Sequence, residues 1–219
     1  MAHRTSPQPP AVDRVVLPPL ADTTPGEVGG GDSRECERYH RADFAGHSLG
    51  FTTFSECEFA GASLDDTDLR SVHFIDCLLS DVDAAVFAAP RSQWRRVPVQ
   101  RSRLGSLEVY QGVWRSVAIE DSKLTYVNAR GATWQDVRFK NCVIEELDLG
   151  ASTVTRMSFE GCRIDTLDLT QAKLCDVDLR GADLHIIKGL SGMAGAWISE
   201  EQLTLMAPLL AAELQINVD

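Results

Sequence analysis

No stretch of 18 or more consecutive apolar residues occurs in the 219-residue sequence, which argues against a membrane-spanning helix. The first 30 residues carry prolines where a secretory leader needs its apolar core, so a cytoplasmic location is expected. Six cysteines are present without a Cys-x-x-Cys pair, and Cys36, His40, His47 and Cys57 lack zinc-site spacing; neither a metal nor any other cofactor is expected. There is no Gly-rich phosphate loop and no nucleophile elbow. None of the five histidines, His3, His40, His47, His73 and His185, has a convincing nucleophile and acid partner, so no enzyme and no catalytic residue is expected. Positive charge is also in short supply: 21 basic against 32 acidic side chains give a formal net charge of -11. A sequence-independent nucleic-acid binder needs a basic face, and direct nucleic-acid binding is therefore not expected.

Proline is scarce after the amino-terminal stretch. Six of the nine prolines lie in residues 1–25, followed by Gly29-Gly30-Gly31. Residues 1–33 are expected to form a disordered leader, with Val15-Val16-Leu17 the one piece able to dock.

What the sequence does contain is a period. From Phe44, every fifth residue through Leu184 is apolar, 29 positions without a frame shift. At a hydrophobic content of 44%, chance agreement is on the order of one in ten billion, so a repeat sets the architecture. The residue two places earlier in each pentad, from Ala42 to Ala182, is never charged. All 37 charged residues between 42 and 186 therefore fall in the other three columns. A period of five fits neither helix nor strand; it fits a chain that turns a corner every five residues with two side chains inside. Phe54, Phe74, Trp94, Trp114 and Trp134 recur at 20 residues, as do Cys57 with Cys77 and Cys142 with Cys162, so four pentads close one coil.

Ala42-Asp43-Phe44-Ala45-Gly46, Val177-Asp178-Leu179-Arg180-Gly181 and Ala182-Asp183-Leu184 carry the resemblance to the pentapeptide-repeat family. That resemblance implies a right-handed quadrilateral β-helix, an all-β solenoid of about seven coils over residues 42–187. Residues 34–41 are expected to cap its start, and residues 188–219 to form a carboxy-terminal helical cap and dimerisation segment. Residues 84–134 use Trp and Val centrally and depart from the motif. Phe87 is bulky where small residues stand while Ala84 and Ala89 are small, so the volumes compensate; with Pro90 and Pro98 nearby, a distorted coil without a break in the period is expected.

Beyond Ile187, Ser199 with Gln202 forms a capping box. Leu203, Met206, Ala207, Leu210 and Leu214 follow at helical spacing, whereas Leu205 and Leu209 lie on a different side; one face is expected to cover the last coil and the other to meet a second copy of the chain. Pro208 is expected to kink or split this helix. A simple cap without a dimer is the alternative.

Charge falls in bands: net -8 over residues 42–90, +6 over 91–140 and -5 over 141–186. Glu120, Lys140, Glu160 and Arg180 share one 20-residue column, as do Asp136, Arg156 and Asp176, so cross-coil ion pairs are expected. Glu145, Glu146, Asp165 and Asp183 have no matching cation close in column and make a candidate acidic partner site. Arg91, Arg95, Arg96, Arg101, Arg103 and Arg115 make a second patch, either a solvated face or a docking surface.

Within the family, the resemblance implies gyrase-binding proteins of the quinolone-resistance or self-protection type that imitate duplex DNA. The net charge of -7 over residues 42–186 is too weak for a uniform mimic, because a duplex carries roughly 20 charges over a comparable length. Two functions follow: a modulator of DNA gyrase through partial mimicry, acting as a homodimer, or a general protein-interaction scaffold.

Overall fold

The computed structural model describes residues 6–217. Successive coils pair in parallel at an offset of 20 residues: Gln93↔Val113, Val113↔Thr133 and Thr133↔Thr153 on one face, Arg103↔Lys123 and Lys123↔Val143 on another. We number the faces by their central residues. The first carries Phe54 to Leu174, the second Phe59 to Leu179, the third Leu64 to Leu184 and the fourth Leu69 to Leu169.

The pentad has a local physical basis. At several Asp residues that precede a central residue, the carboxylate accepts the backbone N–H two residues on. Asp43 does so from Ala45 (3.0 Å), Asp68 from Arg70 (3.1 Å), Asp168 from Thr170 (2.8 Å) and Asp178 from Arg180 (3.1 Å), which fixes the bend. The next residue then turns the corner with a left-handed backbone, as at Gly46 (φ 69°), Gly61 (φ 67°), Asp76 (φ 55°) and Arg96 (φ 54°). For a residue other than glycine this conformation costs about 1–2 kcal/mol, and the backbone ladder on both sides holds it in place. After the third face the strands Asp83–Ala88, Arg103–Glu108 and Lys123–Asn128 pass through their corner without a left-handed residue. Val86 and Tyr126 stand there, and bulky or β-branched side chains resist positive φ.

Inside, the two apolar columns form continuous stacks. Phe54 and Phe74 stack at 5.5 Å, Trp94 and Trp114 at 4.7 Å, and Trp114 and Trp134 at 4.3 Å, while Phe74 meets Trp94 edge-on at 5.4 Å. Phe87, Ala84 and Ala89 are all buried, and the register Leu107↔Phe87 continues unbroken, as the compensating volumes predict.

The coil count is larger than seven. The solenoid has about nine turns, because the parallel ladder begins at Ala21↔Glu37 and Ser33↔Thr53 and ends at Val177↔Ala196 and Asp178↔Trp197. Partial turns at both ends thus lengthen the rod to about 43 Å. Residues 34–41 belong to this ladder: Tyr39 is fully buried in the central column and donates to Glu37, which also pairs with Arg34 at 2.8 Å.

The leader also differs from expectation. Among the described residues, 6–20 run extended along the solenoid, held by three donors: Gln8 N–H to Asp176 Oδ1 (3.2 Å), Ala11 N–H to Asp136 Oδ1 (2.9 Å) and Asp13 N–H to Ser116 Oγ (2.8 Å). Prolines pre-extend this segment and so lower the entropy lost on docking. Val12 and Val15 line one surface cavity with Leu78, Pro98 and Ala118, an outward apolar column on the second face. Val16 points to solvent, at 79% exposure.

The carboxy-terminal helix α1, Glu200–Glu213, starts at the expected capping box of Ser199 and Gln202 and runs through Pro208 without splitting. Met206 is buried. Leu203 and Leu214 are exposed at 49% and 70%, while Leu210 is half-buried. No helix among the described residues is long and apolar enough to cross a membrane.

Candidate functional site

The solenoid places the four candidate acids together on and beside the third face, because Glu146 lies opposite Thr166 and Arg163 opposite Asp183. It also supplies cations that column arithmetic misses. Lys123 Nζ reaches Glu145 at 3.3 Å, Lys188 Nζ reaches Glu146 at 3.1 Å, and Arg163 Nε reaches Asp165 at 2.8 Å. The premise of an unmatched patch is therefore corrected. Lys123 sits one coil back and two positions over, Lys188 two coils on, and Arg163 two residues earlier in the same strand, all within reach of long side chains. Asp183 alone of the four has no ion pair among the described residues.

Unmatched acids lie elsewhere on the third face. Asp43, Asp65, Asp66 and Asp83 have no ion pair among the described residues. Asp43 and Asp83 flank Ser63 in one column, and Asp65 accepts only the Val86 backbone N–H, at 3.0 Å.

The basic patch divides in two. Arg96 forms a two-pronged pair with Asp76, and Arg101 pairs with Asp81 at 2.9 and 3.0 Å, which holds that carboxyl below its usual range. These two arginines are spoken for by the preceding coil. Arg91, Arg95, Arg103 and Arg115 have no ion pair among the described residues. Arg95 and Arg115 stand directly opposite one another in the ladder. Of the cross-coil pairs expected, Lys140–Glu160 (3.3 Å) and Arg156–Asp136 (2.6 Å) form, whereas Arg180 turns to Asp178 in its own coil and Glu120 takes Arg138.

A groove of about 270 Å³ separates α1 from the last coil, with Arg180, Asp183, Leu205 and Leu209 among its lining residues. Leu205 and Leu209 are exposed at 72% and 48%. Gln202 does more than cap its helix: its side-chain amide donates to Leu179 O and Ala182 O, both at 2.9 Å, and so occupies carbonyls at the open end of the solenoid. Its sequence signal was confined to the capping box.

One His/Cys/Asp/Glu cluster with metal-ligand spacing occurs among the described residues, Glu35 with Cys36 and Glu56. Burial and the neighbouring Glu56 carboxylate push the Cys36 thiol up, keeping it protonated. His47 contacts the Ala45 carbonyl at 3.3 Å and the edge of Phe44.

A family model described as pentapeptide repeats matches residues 40–83 in eight copies. No curated protein matches the chain. Among solved structures, full-length QnrB1, a plasmid-mediated fluoroquinolone resistance protein, is similar at 18% identity, covering 86% of this chain and 94% of its own, with a TM-score of 0.35. HetL, a pentapeptide repeat protein involved in heterocyst differentiation regulation from the cyanobacterium Nostoc sp. strain PCC 7120, is similar at 15% identity, covering 78% and 91%, with a TM-score of 0.34. The eight matched repeats over residues 40–83, and the same five-residue frame continuing to Leu184, support the resemblance of this chain to the pentapeptide-repeat family.

Proposed function

We propose that this protein is a non-enzymatic binding protein whose rigid faces recognise a macromolecular partner. One observation carries the reading: the interior is filled by stacked side chains, so the functional groups stand outside, fixed at the spacing of the coils, about 4.8 Å. Such a surface is pre-organised and loses little entropy on docking.

The most specific form of this reading is modulation of DNA gyrase or a related topoisomerase by partial DNA mimicry. Supporting it are a solenoid of about nine turns and a run of carboxylates without an ion pair among the described residues, Asp43, Asp65, Asp66 and Asp83, on one face. A homodimer through α1 fits the same reading, since Leu203, Leu205, Leu209, Leu214 and Ile216 present apolar surface at that end. The ion pairing of Glu145, Glu146 and Asp165 favours the second reading, a general interaction scaffold.

A supercoiling assay with purified gyrase, with and without a quinolone, separates the two. The mimicry reading expects inhibition or protection at micromolar protein, lost when Asp43, Asp65, Asp66 and Asp83 are changed together to Asn, which keeps their hydrogen-bond acceptors. If the parent chain gives no inhibition and no protection, the topoisomerase reading is removed.

A further inference from the structure

Seven successive coils share a strip from which carboxylates are absent. It comprises four adjacent outward columns: Gly50 to Thr170, Phe51 to Gln171, Thr53 to Lys173 and Ser55 to Cys175, each stepping by 20. None of these 28 positions is Asp or Glu, whereas the outward columns between 43 and 186 hold 22 acids in 87 positions. A strip of this size drawn at random carries about seven acids. The strip instead carries Arg70, Arg91, Arg95, Arg115, Arg130 and Lys173. It covers the edge of the fourth face, the corner and the whole first face.

The charge is concentrated at its centre. Arg70 and Arg130 are turned to Asp68 and Asp148 on the border of the strip, each at 3.0 Å. Arg95 and Arg115 are exposed, oppose one another in register and have no ion pair among the described residues. Their backbones are about 4.8 Å apart, so two like charges stand in a stack that costs energy unless an anion joins them. Arg91 lies at the adjoining corner. Between His73, Gln93, Arg95 and Arg115 lies a depression of about 340 Å³. Among the described residues, the leader is tied to Asp136, Ser116 and Asp176 at the corner between the first and second faces.

We infer that this strip is a docking surface for an acidic protein segment, whose carboxylates take the Arg95–Arg115 pair and Arg91. Guanidinium groups bind carboxylates two-pronged, and Gln93, Gln135 and Thr133 supply neutral donors and acceptors around them. Three free cations within two coils match two or three carboxylates. A nucleic acid needs a longer cationic track, and acid columns border the strip on both sides. The inference rests on the reading of the chain as a binding protein and is independent of a topoisomerase target.

The test uses the full chain and fluorescence anisotropy with three probes: a labelled peptide of alternating Glu and Gly, its Gln counterpart, and a single-stranded oligonucleotide. The Glu peptide is expected to bind, weakening with added salt, and the Gln peptide is not. Arg95→Gln with Arg115→Gln should weaken binding about tenfold or more, while Arg96→Gln, which removes a side chain already held by Asp76, should leave it unchanged. No binding of the Glu peptide, equal loss with Arg96→Gln, or tighter binding of the oligonucleotide overturns the inference. Supercoiling measured on the same preparations keeps this result separate from the topoisomerase reading.

Discussion

Ser92 Oγ accepts the indole N–H of Trp94 at 3.0 Å, and the equivalent position is Gly112 before Trp114 and Ala132 before Trp134. Both of those indole N–H groups are buried without a partner among the described residues. A buried unsatisfied donor costs about 1–3 kcal/mol. Ala132→Ser is therefore expected to raise the thermal midpoint by a few degrees, and Ser92→Ala to lower it, as measured by circular dichroism melting. A lower midpoint for Ala132→Ser sinks the explanation.

Asp136 joins the leader to the rod. Burial opposes its ionisation, but the Arg156 guanidinium, the Ala11 N–H and Gln135 hold its carboxyl below the usual range. A lowered folded-state value means that the stabilisation is complete above the unfolded value, about pH 3.9, and is lost as pH falls through the folded one. Thermal melts should accordingly weaken on acidification below about pH 4, less steeply in Asp136→Ala. At neutral pH that variant loses about 2 kcal/mol, and trypsin should cleave it faster after Arg14. Unchanged cleavage would show that the leader is held by other contacts.

Gln202 closes the open end of the solenoid. Replacing it with Ala strips the acceptors Leu179 O and Ala182 O of their donors and costs about 1–3 kcal/mol. Gln202→Glu, which cannot donate when ionised, should be no better than Ala. Equal melting of Gln202→Glu and the parent chain refutes the account.

For the dimer, sedimentation of the parent chain should give twice the monomer mass. Leu205→Glu with Leu214→Glu, at positions exposed at 72% and 70%, should give the monomer with an unchanged melting midpoint. A monomeric parent ends the dimer reading.

The five-residue frame was legible because two inward positions per pentad admit no charge, so one substitution class reports the whole architecture. The indole stack and the capping box followed from spacing alone. Ion pairing was less legible, because long side chains cross columns: Lys188 reaches Glu146 from two coils away, and no column rule contains that contact. The leader escaped because composition reports what a segment can bury and is silent on what a neighbouring surface offers; Asp136, Ser116 and the Leu78–Pro98–Ala118 column supply that surface. The coil count was short because Tyr39 extends the central column before Phe44 while Arg34, one pentad earlier, breaks its apolar character.

The 20-residue register makes each surface an address. A duplication or deletion of one whole coil lengthens or shortens the rod and leaves every later side chain on its own face. A change of five residues rotates all that follows by a quarter turn, carrying Arg115 away from Arg95 onto a neighbouring face while the interior stays apolar. Folding would tolerate both events, and recognition only the first.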